Sequence, residues 1–158
     1  MRVRIICIGR LKERYWTEAV AEYEKRLRSY CRLSIYELKD EKTPDGISEA
    51  GAEEILRTEA GRIEQYLNDK ALRCVLAIEG RQYSSEEFAL LMNDKMNSGI
   101  SDIQFIIGGS LGLHKSIKEG SMLLSFSKMT LPHQLMRVVL LEQIYRAHKI
   151  LRGEPYHK

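Results

Sequence analysis

Three short stretches of the chain hold residue types that could grip a small charged molecule and do chemistry on it. Gly108-Gly109-Ser110-Leu111-Gly112 follows an apolar run, and Ser127-Lys128-Met129-Thr130-Leu131-Pro132 mixes hydroxyl, cationic and apolar groups. The last residues, Tyr156-His157-Lys158, collect a phenol, an imidazole and an amine. Such groups stack on bases, accept protons and bind phosphates. Adjacent glycines admit a ligand close to the backbone or permit positive φ. The Gly108–Gly112 segment therefore reads either as the wall of a nucleotide-type pocket or as a tight strand-to-helix turn. The tail likewise reads either as functional or as a frayed end.

Several familiar chemistries lack their signatures. No G-x-G-x-x-G follows the first strand-like run, and no G-K-[ST] turns the glycine segment into a P-loop, which disfavours dinucleotide oxidoreductases and NTPases. No G-x-S-x-G elbow makes Ser110 a nucleophile. The acidic pairs Glu53/Glu54 and Glu86/Glu87 stand at helix starts, where surface carboxylates favour the dipole. His114, His133, His148 and His157 have no metal-ligand spacing. Cys7, Cys31 and Cys74 form no C-x-x-C and read as buried free thiols, so no metal site is expected. What suits this inventory is a reaction needing a bound activated cofactor, an in-line approach and at most one proton acceptor. Methyl transfer from S-adenosylmethionine is such a reaction.

The elements that must position these groups follow from the apolar pattern. Strands are expected over 3–8, 33–38, 74–78, 103–107 and 122–126. Between them, Trp16, Ala19, Val20, Tyr23 and Leu27 mark a helix over about 13–30. Ser48 caps a largely solvated helix to about residue 66, and Ser84-Ser85-Glu86-Glu87 opens one that ends at Gly99. A short helix carries Lys115 and Lys118, and a long one runs from Pro132 to Arg152-Gly153. Strand and helix alternate five times with short connections, which predicts an α/β fold with a parallel sheet covered on both faces. In such sheets ligands bind beyond the carboxyl ends of the strands. That rule selects the end of the third strand, the glycine turn and the loop 125–132.

The last helix is apolar around most of its circumference, through Leu135, Met136, Val138, Val139, Leu140, Leu141, Ile144 and Tyr145. Core packing is one reading; a face shared with a second subunit is favoured in so small a domain. Glu142 and Arg146 are spaced to pair, whereas Arg137, one turn from His133, reads as an interface or phosphate contact.

At 158 residues, 44% hydrophobic and 30% charged, the chain is expected to be one globular domain over 1–158. No apolar run reaches bilayer length and no signal-peptide core follows the start, so a cytoplasmic location without membrane contact is expected. The net charge of +3 is uneven: residues 1–30 and 128–158 each carry +4, and residues 31–127 carry −5. If the termini meet, one face is basic and could follow phosphates; otherwise these charges only solvate helices.

The combination FIIGGSLGL, LSFSKMTLPHQLMRVVLLEQIYRA and terminal PYHK, together with IICIGRLKERYW and AEYEKRLRSY, resembles the bacterial ribosomal RNA large-subunit methyltransferase H family over essentially the whole chain. These are small SPOUT-class enzymes that methylate N3 of a pseudouridine in 23S rRNA. The resemblance implies a Rossmann-like parallel sheet with a C-terminal deep trefoil knot, a homodimer, and S-adenosyl-L-methionine as cofactor. It implies cofactor contacts at Leu76, Gly108, Gly109, Ser127, Lys128, Met129, Thr130, Leu131 and Pro132. It places His133, Arg137, Arg146, Tyr156 and His157 near the substrate side. Tyr156 and His157, on a tail expected to close over the pocket, are the catalytic candidates, with His157, Tyr156 or solvent taking the N3 proton. The expected substrate is 23S rRNA within the assembled ribosome.

Overall fold

The computed structural model describes residues 1–157; Lys158 lies outside the described residues. Ten elements alternate along the chain: β1 (Arg2–Ile8), α1 (Arg14–Leu27), β2 (Arg32–Leu38), α2 (Glu49–Glu64), β3 (Leu72–Gln82), α3 (Ser85–Asn97), β4 (Asp102–Ile107), α4 (Lys115–Lys118), β5 (Met122–Ser125) and α5 (His133–Leu151). All strand pairings are parallel, in the order β2-β1-β4-β3-β5. This is the covered parallel sheet that the alternation of strand and helix predicts.

The period-2 geometry of β1 divides the core. Val3, Ile5 and Cys7 face one apolar layer with Val20 and Leu27 of α1, Phe88 and Met92 of α3, and Leu140 and Ile144 of α5. Ile6 and Ile8 face the other, with Ala60 and Ile63 of α2 and Ile117 of α4. Every residue of the central strand β4 is buried, including the polar Asp102 and Gln104. Gln104 accepts from the Asn68 backbone N–H at 3.0 Å and donates to the Tyr66 carbonyl at 3.0 Å, while Asp102 binds Arg4 at 2.8 Å. Burial without partners would be costly for such groups; the two Gln104 bonds pin the loop 65–71 to the sheet, and the Arg4 bond ties β1 to β4.

Two boundaries differ from the sequence expectation by more than two residues. The first helix ends at Leu27 instead of continuing to residue 30, and the chain turns through 28–30 so that Cys31 and β2 can re-enter the sheet. More consequentially, β3 runs on to Gln82, although Glu79-Gly80-Arg81-Gln82 has no apolar pattern. Its pairing with β5 shifts register between Leu76 and Arg81, which leaves the intervening residues out of the ladder. Gly80 is required there: an added Cβ would lie 2.6 Å from the Leu124 carbonyl carbon and 2.7 Å from that of Leu123. Helix α3 begins as its sequence indicates, with a reciprocal capping box between Ser84 and Glu87.

Helix α5 buries Arg137, Leu140, Leu141, Ile144, Ala147 and His148 within its own chain, against α1, α3 and the sheet. Its remaining apolar residues, Leu135, Met136, Val138, Val139, Tyr145, Ile150 and Leu151, are half-buried. Tyr30 stacks on the buried His148 ring at 5.4 Å between centroids. Burial, aided by the charge of Arg152, pushes the His148 imidazole from 6.5 down to about 4. The unfolded imidazole therefore takes a proton near pH 6.5 while the folded one refuses it until about pH 4. Stability from this group is complete above pH 6.5 and is lost as pH falls toward 4. Urea midpoints of the native chain should drop between pH 7 and pH 5, and His148→Gln should flatten that drop. An equally steep drop in the variant would assign the pH dependence elsewhere.

Among the described residues no helix is long and apolar enough to cross a membrane. Cys7, Cys31 and Cys74 are buried and unbridged, and desolvation pushes their thiols up to about 12, 11 and 12. Thiols so far from ionisation at neutral pH are packing groups, not nucleophiles.

Candidate cofactor site

The middle of β3, where it leaves the β5 ladder, and the carboxyl ends of β4 and β5 open into one cavity of about 690 Å³. Leu76 comes from β3 just before the register shift, and the unladdered residues Ala77, Ile78 and Glu79 continue the wall. Gly108 and Gly109 follow β4, and the loop after β5 closes the remaining side. All three segments selected by the strand-end rule meet here.

The glycine segment is both a tight turn and a pocket wall. The Gly112 N–H donates to the Gly109 carbonyl at 3.1 Å, and a single bridge joins the two residues. A Cβ on Gly108 would lie 2.6 Å from the Gly112 carbonyl carbon and 2.8 Å from Leu113 Cγ. The first limb of the turn must therefore be bare backbone. Behind it, Glu59 of α2 is buried and accepts the Glu41 N–H at 2.9 Å. Its carboxylate sits 3.4 Å from where a Gly109 Cβ would be, and burial raises its pKa. Ser110 Oγ meets Thr43 Oγ1 at 3.1 Å, so the loop 39–47 braces the turn from outside. Glu59 was missed in the sequence reading, although Ile55, Glu59 and Ile63 recur at intervals of four and so share one helix face.

The loop after β5 holds its own shape. Ser125 Oγ donates to the Ser127 carbonyl at 3.0 Å, and the Met129 N–H donates to Ser127 Oγ at 2.9 Å. Ser127, Met129, Thr130, Leu131 and Pro132 line the cavity, and Lys128 does not. His133, expected on the substrate side, lines the cavity too. Burial and the nearby Arg137 charge lower its pKa, so its imidazole is neutral at pH 7.

Arg137 does something other than the substrate contact expected of it. Its side chain is 1% exposed, and its guanidinium donates to Glu37 Oε1 at 2.5 Å and to the Gly9 carbonyl. It ties α5 to the carboxyl ends of β1 and β2, with its guanidinium enclosed by protein groups. Glu37→Ala should cost about 3 kcal/mol, because it strands a buried cation. Urea denaturation measures this, and a loss below about 1 kcal/mol would mean that the carbonyls alone satisfy Arg137.

Tyr156 and His157 lie against their own chain, outside its cavity. Tyr156 Oη donates to Glu142 Oε2 at 2.8 Å, and its ring lies under Arg146 at 4.7 Å and against Tyr145 at 5.0 Å. His157 Nε2 is 2.6 Å from Glu86 Oε1, and its Nδ1 is 3.3 Å from Arg146. Arg146 pairs with Glu142 at 2.6 Å, as the i, i+4 spacing predicts. Thus Arg146, Tyr156 and His157 form one cluster, whereas none of them lines the cavity. The two basic ends do meet, since α1 packs on α5. Within them Arg26 pairs with Glu22 at 2.8 Å and Lys149 with Glu154 at 2.6 Å, which leaves the net positive charge of each end in place.

A parallel sheet with a bare glycine turn and a self-held loop at its strand ends is the build of an α/β enzyme that encloses a small cofactor. A family model described as "Predicted SPOUT methyltransferase" matches residues 1–157, and the chain belongs to that family. Membership implies the deep trefoil knot characteristic of the class. The chain is 51% identical, over the full length of both proteins, to a Ribosomal RNA large subunit methyltransferase H of Streptococcus equi subsp. zooepidemicus. It is 54% identical, again over the full length of both, to the protein of that name from Bifidobacterium adolescentis. Its fold is similar to that of a probable methyltransferase from Bordetella pertussis Tohama I, with a TM-score of 0.56 at 16% identity over 93% of this chain and 96% of the other.

Proposed function

We propose that this protein transfers a methyl group from S-adenosylmethionine to N3 of a pseudouridine in 23S rRNA, acting as a homodimer on the assembled ribosome. The observation that carries the reading is the cavity built from Leu76, Gly108 and the loop 127–132, in a chain about half identical to named rRNA methyltransferases.

The cavity suits the cofactor. Its walls combine apolar side chains, Leu76, Leu131 and Met136, with the hydroxyl-bearing Ser127 and Thr130 and exposed glycine backbone. That mixture matches a flat base and ribose flanked by a thioether-like chain. Leu76, Gly108, Gly109, Ser127, Met129, Thr130, Leu131 and Pro132 would hold it; Lys128 would touch it only through its backbone. Bound there, S-adenosylmethionine supplies an activated methyl group. The loop then excludes water, and the rigid turn fixes the direction from which the target nitrogen approaches.

Substrate handling falls to the Arg146–Tyr156–His157 cluster. Because that cluster stands apart from its own chain's cavity, the reading requires a second copy whose cavity it completes. Burial, with Glu142 beside it, raises the Tyr156 pKa, so the phenol stays protonated and acts as a donor that orients the base. His157 is then the group placed to take the N3 proton as the methyl arrives. Mass spectrometry of 23S rRNA from a strain lacking this gene, before and after complementation, tests the assignment. One missing methyl on a pseudouridine, restored by the gene, is expected; an unchanged modification pattern would remove it. Methyl transfer into ribosomes and not into tRNA separates this substrate from the other large class of SPOUT targets.

A further inference from the structure

Among the described side chains that line the cavity, Glu79 and Lys118 are the carboxylate and the ammonium. His133 also lines it, but burial and Arg137 keep that imidazole uncharged. Lys118 Nζ donates to Glu79 Oε1 at 2.6 Å, so the two opposite charges stand side by side on the rim. They reach that position by separate routes. Glu79 lies in the part of β3 that leaves the β5 ladder, and Lys118 ends the one-turn helix that follows the glycine turn. Neither is deeply buried, their side chains being 56% and 32% exposed, so both are open to a ligand. An ammonium has three donors and a carboxylate about four acceptor sites, so one mutual bond leaves capacity on each.

We propose that this pair binds the amino-acid end of the methyl donor, Lys118 taking its α-carboxylate and Glu79 its α-ammonium. The inference rests on the reading of the cavity as the S-adenosylmethionine site and adds a recognition element to it. A zwitterion brings two opposite charges about as close together as those of the pair, so exchanging the internal ion pair for two ligand bonds leaves both rim charges matched. The rest of the wall is neutral and suits the adenosine and the sulfur chain. Selectivity for the intact cofactor over its nucleoside fragments then resides in these two side chains.

Calorimetry on the intact protein tests this with three ligands: S-adenosylhomocysteine, decarboxylated S-adenosylmethionine and 5′-methylthioadenosine. Lys118→Met should weaken S-adenosylhomocysteine about tenfold and leave the decarboxylated ligand and methylthioadenosine within about twofold. Glu79→Gln should weaken both amine-bearing ligands about tenfold and again spare methylthioadenosine. Methylthioadenosine thus reports that the pocket and fold are intact in each variant. Unchanged affinity for S-adenosylhomocysteine would make the pair a plain surface ion pair and overturn the proposal, as would equal weakening of all three ligands. If the wild-type protein binds none of them, the cofactor reading itself falls, a result plainly different from loss of selectivity.

Discussion

Gly108→Ala is expected to abolish methyl-donor binding, lowering affinity on the order of a hundredfold or more. The added Cβ has nowhere to go. It would meet the Gly112 carbonyl carbon at 2.6 Å and Leu113 Cγ at 2.8 Å, and the first of these is backbone. Relief requires the two limbs of the turn to part, which breaks the 3.1 Å bond from Gly112 to Gly109 and moves the wall of the cavity. Overpacking of this kind costs about 1–3 kcal/mol, too little to unfold a domain of this size but enough to reshape one turn. Gly61→Ala supplies the contrast, because a Cβ at that position in α2 meets nothing within 4 Å. That change should stabilise by about 0.5–1 kcal/mol and leave binding alone. Calorimetric titration with S-adenosylmethionine, alongside urea denaturation, reads both effects. Native affinity in Gly108→Ala would mean that the turn does not shape the site.

The contrast between these two glycines shows where sequence reasoning reaches. Alternation of strand and helix, and the apolar runs at 3–8 and 103–107, indicate the parallel sheet, because a strand covered on both faces is apolar along most of its length. The same logic located the pocket, since the carboxyl ends of parallel strands are where loops gather. It failed at β3, where Glu79-Gly80-Arg81-Gln82 has a composition that suggests a loop. What makes those residues a strand is the edge of β5, whose backbone approaches so closely that only glycine fits at position 80. A glycine beside an apolar run was the one available hint.

Arg137 shows a second limit. Sequence spacing puts it one turn beyond His133 and near the loop 127–132, and a cation there invites an RNA phosphate. Its actual partners, Glu37 and the Gly9 carbonyl, lie 100 and 128 residues away in sequence. Local pattern carries no information about such distant pairings. The tail was ambiguous for the opposite reason. Nothing in Tyr156 and His157 separates an ordered end from a frayed one until Glu142 and Glu86 are seen to hold them.

Removing residues 156–158 should cut methyl transfer by about 10²–10⁴-fold while leaving donor affinity and dimerisation close to native. None of the described tail residues lines the chain's own cavity, and the core layers are built without them. The two side chains can then be separated. Tyr156→Phe keeps the ring contacts with Tyr145 at 5.0 Å and with Arg146 at 4.7 Å and removes only the hydroxyl that reaches Glu142. If the phenol orients the base, this variant should lose rate at saturating cofactor and keep the native pH profile. His157→Ala should behave differently. A group that accepts the N3 proton must be neutral to act, so the native rate should rise with pH to a plateau, and the variant should lose that limb along with most of its rate. Single-turnover methylation of ribosomes across pH 5.5 to about 9, with sedimentation of each variant as a dimer check, distinguishes the two roles. Native turnover after the truncation would leave the tail only a packing role on α5, and the proton would then have to leave to solvent.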